Sequence, residues 1–173
     1  MIAGRGPAYA LLGLAALLIA IAVSSGWSGA SRLAEREDDR AAVEAAASAF
    51  VTAYGGFDFR DPDQYTTRLA ALTSGELRDA IAGAAVDPAA VAQQRTTAAL
   101  VESVSVTALS GVAATATVRS RQERTWLDPT SGRAVQEQVI QHVSCRLVRV
   151  GERWLVAELL LLGEEPADAQ NAR

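Results

Sequence analysis

The chain has 173 residues, half of them hydrophobic, with one cysteine, one histidine, no lysine and a formal net charge of −4. That length suits one average domain and excludes a multidomain enzyme, and the modest charge excludes wholesale disorder. The acidic balance leaves no basic footprint for nucleic acid, and one Cys with one His excludes a disulfide framework or a zinc cluster.

The N-terminus carries the first strong signal. Between Arg5 and Arg32 no residue is charged, and Ala8–Val23 is apolar apart from Gly13. As a helix the uncharged run reaches roughly 39 Å, enough to cross about 30 Å of hydrocarbon. Arg5 and the amino terminus are positive, while 32–40 mixes Arg32, Arg36 and Arg40 with Glu35, Glu37, Asp38 and Asp39. The positive-inside bias then puts the N-terminus in the cytoplasm and the rest outside, with Trp27 at the outer interface. A cleaved signal peptide is the alternative, with Ser28-Gly29-Ala30 as a tolerable cleavage site. The long apolar stretch, and the lack of an Ala-x-Ala directly after it, favour an anchor in residues 1–31. Either way the remainder is extracytoplasmic.

Residues 32–39 read as a short charged linker, for which helix is one open conformation. From Arg40 to Tyr54 the apolar residues Val43, Ala46, Ala47, Phe50, Val51 and Tyr54 recur on one helical face, and Gly55-Gly56 ends it. Pro62 opens a second helix, Ser74 is placed to cap a third over 75–85, and Asp87-Pro88 starts a fourth, short one reaching about Arg95. The period changes from Thr97. Four strands are predicted at 97–108, 112–125, 135–150 and 153–162, with Asp128–Gly132 and Gly151-Glu152 as turns. Residues 163–173 read as a disordered tail. Helices first and antiparallel strands after them define an α+β domain over 40–162, with the helices packed on one face of a curved sheet.

Candidate chemistry is sparse. General acid–base work needs a titratable group with a tuned pKa, and the residues to weigh are His142, Asp58, Asp61, Tyr54, Tyr65 and Trp126. Asp58 and Asp61 flank Arg60 where a helix begins, so capping and ion pairing account for them. His142 sits in an alternating strand, where a hydrogen-bonded or exposed imidazole is ordinary. Tyr54, Tyr65, Trp126 and His142 remain as candidate pocket residues. Arg119, Arg121, Arg124 and Arg133 make a candidate partner surface, read either as a basic stripe or as an ion-paired sheet edge. No phosphate loop, metal-ligand spacing or cofactor motif occurs, and the expectation is no enzyme activity and no cofactor. Cys145 and Trp154 read as core residues of the sheet.

The Ala-rich helix ending in an aromatic, Phe57-Asp58-Phe59-Arg60-Asp61-Pro62, the Leu-Thr-Ser-Gly-Glu-Leu-Arg-Asp stretch at 72–79 and the Arg146–Leu159 hairpin resemble a known group. These features are similar to the single-pass Mce-associated membrane proteins of actinobacteria, whose domain resembles the cone of nuclear transport factor two and ketosteroid isomerase. The resemblance implies an accessory scaffold of a lipid or sterol importer. It also implies protein partners, and a homo-oligomer fits the same role. The same anchor-plus-cone plan resembles bitopic assembly factors of type IV secretion and conjugal-transfer machines. A small apolar-ligand binder or isomerase using the cone interior is the third reading.

Overall fold

The computed structural model describes residues 34–167. The expected anchor, residues 1–31, lies outside them; among the described residues no helix is long and apolar enough to cross a membrane. The chain divides into a first unit, Met1–Asp39, and a second, Arg40–Arg173, which carries the fold. Helical backbone runs over 34–54, so the expected linker at 32–39 is helix from residue 34 onward. The stretch 40–54 forms α1 of the second unit. Next come α2 (Pro62–Ala71), α3 (Gly75–Gly83) and α4 (Pro88–Ala92). The strands are β1 (Thr96–Leu109), β2 (Ala113–Leu127), β3 (Ala134–Val150) and β4 (Arg153–Pro166).

Local chemistry explains most of these boundaries. Asp61 caps α2 by accepting from the Gln64 N–H at 3.1 Å, and Pro62 follows at the first turn, where its missing N–H costs nothing. Asp87 does the same for α4 through the Ala89 N–H at 2.9 Å. Asp58 accepts from the Arg60 N–H and pairs with the Arg60 guanidinium at 3.3 Å. Ser74 stands at the α3 N-cap, but its hydroxyl caps nothing. Its backbone N–H donates to Val156 O instead, at 2.9 Å, because the 72–74 segment lies along the edge of β4. Gly151, at φ +64°, occupies the first position of the two-residue β3–β4 turn, the conformation such hairpins favour.

The four strands form an antiparallel meander in the order β1-β2-β3-β4. On the face toward the helices, Ala114, Ala116 and Val118 of β2 pair with Leu147, Cys145 and Val143 of β3. Val43, Ala47, Phe50 and Val51 of α1 complete this core and are fully buried. Burying a side chain such as Phe50 is worth about 2–3 kcal/mol, which fixes the apolar face of α1 on the sheet. Cys145 is buried among them as a small apolar group. Trp154 is 6% exposed and anchors the β3–β4 hairpin, with the Arg149 guanidinium 5.8 Å from its ring centroid.

One correction concerns the C-terminus. β4 continues to Pro166 rather than ending at 162, so the expected tail begins as strand. Gly163 and Glu164 pair with His142 and Gln141, and the Glu164 carboxylate is held by a side chain of β2.

Candidate binding cleft

α1 runs antiparallel to β1. The Arg40 guanidinium reaches Val106 O, while Gly55 lies against Ala99 and Gln122. The helix therefore covers only the part of the sheet between those two levels. Beyond Gly55 the inward face of β2 changes from Ala116 and Val118 to Ser120, Gln122, Arg124 and Trp126. A cleft of about 640 Å³ opens there. Its walls include Tyr54, Phe57, Tyr65 and Trp126, and its floor Gln122, Arg124, Glu137 and Gln141.

The floor is a closed ring of hydrogen bonds across three strands. Arg124 donates to Gln122 Oε1 at 3.1 Å, and Gln122 Nε2 donates to Gln141 Oε1 at 2.5 Å. Gln141 Nε2 donates to Glu164 Oε2 at 2.6 Å, and Arg124 closes the ring on Glu164 at 2.9 and 2.7 Å. Gln122 and Gln141 are 4% and 5% exposed, so their amides need the partners they have. The Arg124 guanidinium holds the Glu164 carboxyl below its ordinary pKa. Glu137 stands 3.7 Å from the same guanidinium.

The aromatic wall is fixed by its own contacts. Tyr65 OH donates to Tyr54 O at 2.9 Å, and the Phe57 ring meets the Tyr65 ring edge-on with centroids 5.3 Å apart. Burial pushes the Tyr65 phenol up to about 12. Tyr65 and Glu164 thus both keep their protonation state at neutral pH. Arg95 is brought to the cleft by a left-handed turn at Gln94, φ 52°, after α4, and its guanidinium donates to Gln93 Oε1 at 3.1 Å. Aromatic surface and both signs of charge thus meet in one recess. Among the described residues no group of three or more His, Cys, Asp or Glu is arranged to hold a metal ion.

Three of the four residues read as pocket candidates, Tyr54, Tyr65 and Trp126, line this cleft. His142 does not. It pairs in register with Arg119, while its neighbour Gln141 points into the ring, and strand alternation turns His142 to the opposite face. The candidate partner surface also divides. Arg119 and Arg121 lie on that outer face, both bound to Glu102 at 2.7 and 2.8 Å. Glu102 is the extra residue of a β-bulge in β1, which supplies an acid that strand spacing alone does not place. Arg124 faces the cleft, and Arg133 sits exposed at the end of the β2–β3 turn. The four arginines form no common stripe.

Gln122, Gln141, Glu137, Glu164, Phe57 and Arg95 are not among the pocket candidates that the sequence offers. The available signal was the period of two, which continues the inward face of β2 from Val118 to Ser120, Gln122 and Arg124.

Among the described residues the architecture is a cone-like α+β domain of helices and a four-stranded antiparallel meander. No family model matches the chain, and no curated protein matches its sequence. Solved structures do match its fold. An IcmL-like type IV secretion system protein from Legionella pneumophila superimposes with a TM-score of 0.50 at 13% identity, covering 74% of this chain and 93% of that one. The periplasmic domain of DotI gives 0.51 at 13% identity, covering 73% and 95%. An Ntf2-like protein involved in plasmid conjugation gives 0.49 at 13% identity over 69% of this chain, which spans only 47% of that protein.

Proposed function

We propose that this chain is a non-enzymatic scaffold of a conjugal-transfer or type IV secretion machine. A single N-terminal helix tethers it, and the cone domain stands outside the cytoplasmic membrane. The observation that carries this reading is the fold shared with the periplasmic domain of DotI, a TM-score of 0.51 over 73% of the chain. The uncharged run between Arg5 and Arg32 supports the tether. A tether raises the effective concentration of the domain toward a partner in the same membrane.

The cleft supports docking over catalysis. Tyr65 in its wall and Glu164, which lies outside its lining and binds Arg124 and Gln141 of its floor, are both shifted away from neutrality, whereas a general acid or base works best near the operating pH. Its mix of aromatic rings, arginines and carboxylates suits the side chains of a protein partner more than a purely apolar ligand.

The test is crosslinking in membranes, detergent extraction and identification of the co-purifying chains. Secretion or conjugation components, such as their ATPases and channel subunits, are expected. Recovery of Mce permease and substrate-binding subunits would return the protein to lipid import. A protein recovered alone, as a monomer, from several detergents would remove the basis for any scaffold.

A further inference from the structure

Exposed apolar side chains are ordinary when they stand singly, and Val91, Leu100, Val112 and Val150 stand singly in the chain. Leu160, Leu161 and Leu162 of β4 do not: they follow one another and are 59%, 52% and 54% exposed. Leu161 pairs with Val143, a core residue, so its side chain is on the helix-covered face of the sheet. Leu160 pairs with Ser144 and is on the outer face. Leu162 is the extra residue of a β-bulge between the pairs His142–Gly163 and Val143–Leu161. Apolar surface therefore lies on both sides of one edge strand.

The backbone of that edge is open as well. The segment Leu72–Ser74 covers β4 at Val156, through Val156 N–H to Leu72 O at 3.0 Å and Ser74 N–H to Val156 O at 2.9 Å. Beyond Val156, among the described residues, no backbone bond reaches the outer side of β4. The opposite edge, β1, is guarded. It carries bulges at Glu102 and Thr107, the first of them charged, and its Thr97 N–H is taken by Phe57 O at 2.8 Å. The open stretch of β4 is uncharged from Leu159 to Gly163 and is bracketed by Glu158 and by Glu164-Glu165. Glu158 keeps 63% of its side chain exposed while it meets Arg146.

These features select the occupant. A flat surface, lipid or protein, would cover Leu160 or Leu161 but not both, since they lie on opposite faces. A strand laid along the edge covers both, because its own side chains alternate between the faces. A second copy of β4 does not fit. Antiparallel pairing that sets Leu160 beside Leu160 brings the copy's Glu164 opposite Val156, where Thr73 already lies. Pairing about Leu161 sets Glu158 opposite Glu164, acid against acid. We propose that the edge of β4 at 158–162 accepts a short strand of a partner protein, apolar in its middle and basic at its ends. Backbone bonds hold the strand, and its alternate side chains pack on Leu160 and Leu161. This surface is separate from the cleft and depends on neither the tether nor the machine proposed above.

The test places a photoactivatable benzoyl-phenylalanine at Leu160, at Leu161 and, as a control, at Leu100 of the full chain, in the cells that produce it. Mass spectrometry then identifies the crosslinked peptides. Positions 160 and 161 are expected to capture one and the same short segment of one other protein, at least about fivefold above position 100. Leu160→Lys, with the crosslinker at 161, guards the edge with a charge. It is expected to lower that capture at least about fivefold, with the melting temperature within about 3 °C of the parent. Capture by only one of the two positions, or of two unrelated segments, would overturn the proposal. Capture of lipid or of a second copy of this chain would overturn it too, as would capture no stronger than at 100. A folded Leu160→Lys variant that captures the segment undiminished would do the same. The paired capture by itself decides if that variant fails to fold.

Discussion

Arg124 and Glu164 meet in a two-pronged ion pair, at 2.9 and 2.7 Å, although 40 positions separate them in the chain. The pair bridges β2 to β4 over the intervening β3, and Gln122 and Gln141 complete the circuit beneath it. Aligned charge-assisted bonds of this kind are stronger than neutral ones, and here they close the floor of the cleft. They also hold the last residues of β4, the edge strand of the sheet among the described residues.

A double-mutant cycle measures that pair. Arg124→Ala and Glu164→Ala are each expected to cost about 1–2 kcal/mol in urea unfolding, with a coupling near 1 kcal/mol after allowance for partial solvent screening. A coupling indistinguishable from zero would mean that the ring is a passive surface feature.

The same pair sets a pH dependence. The folded pKa of Glu164 lies below its ordinary 4.5, chiefly through the Arg124 bond. Its contribution is therefore fully present above the unfolded value and is lost as the pH falls through the lower folded value. Melting temperatures of the native protein and of Glu164→Gln should differ at pH 6 and converge as acid protonates Glu164. Parallel curves over that whole range would contradict the assignment.

Gly55 is needed because the end of α1 touches the sheet. A Cβ there would stand 2.4 Å from Ala99 Cβ and 3.0 Å from Gln122 Nε2. Gly55→Ala is expected to destabilise by about 2–3 kcal/mol, as overpacking does. Gly83 in α3 provides the contrast, since nothing lies within 4 Å of a Cβ placed there. Gly83→Ala should be neutral or stabilising by about 0.5 kcal/mol through helix propensity. Chemical denaturation of both variants gives the comparison.

Cys145 should be unreactive until the domain opens. Burial removes it from solvent and pushes its thiol up to about 12. Alkylation at pH 8, followed by intact mass, is expected to be negligible in buffer and complete in denaturant. Rapid labelling of the native protein would show that β2 and β3 separate readily.

Much of the fold was legible from local pattern. Pro62, Pro88 and their preceding aspartates marked helix starts, and the change from a period near four to a period of two announced the sheet. Parity along β2 puts Arg124 on the opposite face from Arg119 and Arg121, since alternate residues of a strand face opposite sides, yet the four arginines were grouped as one surface. The β4 extension was hidden because Gly163-Glu164-Glu165 has the composition of a tail. It is a strand because it pairs with Val139–His142 of β3, a segment distant in sequence, and Arg124 and Gln141 hold the carboxylate of Glu164 there.

By itself, then, the sequence determined the uncharged N-terminal run and the order of helices and strands, since both follow from neighbours a few positions apart. Which stretch of that inward face is covered was decided only by tertiary structure. α1 spans the sheet from Val106 to Ala99 and stops, so Ala116 and Val118 become core while Gln122, Arg124 and Gln141 become the floor of a cleft. The length of one helix against one strand set that division, and no local pattern encodes where two distant segments come to lie.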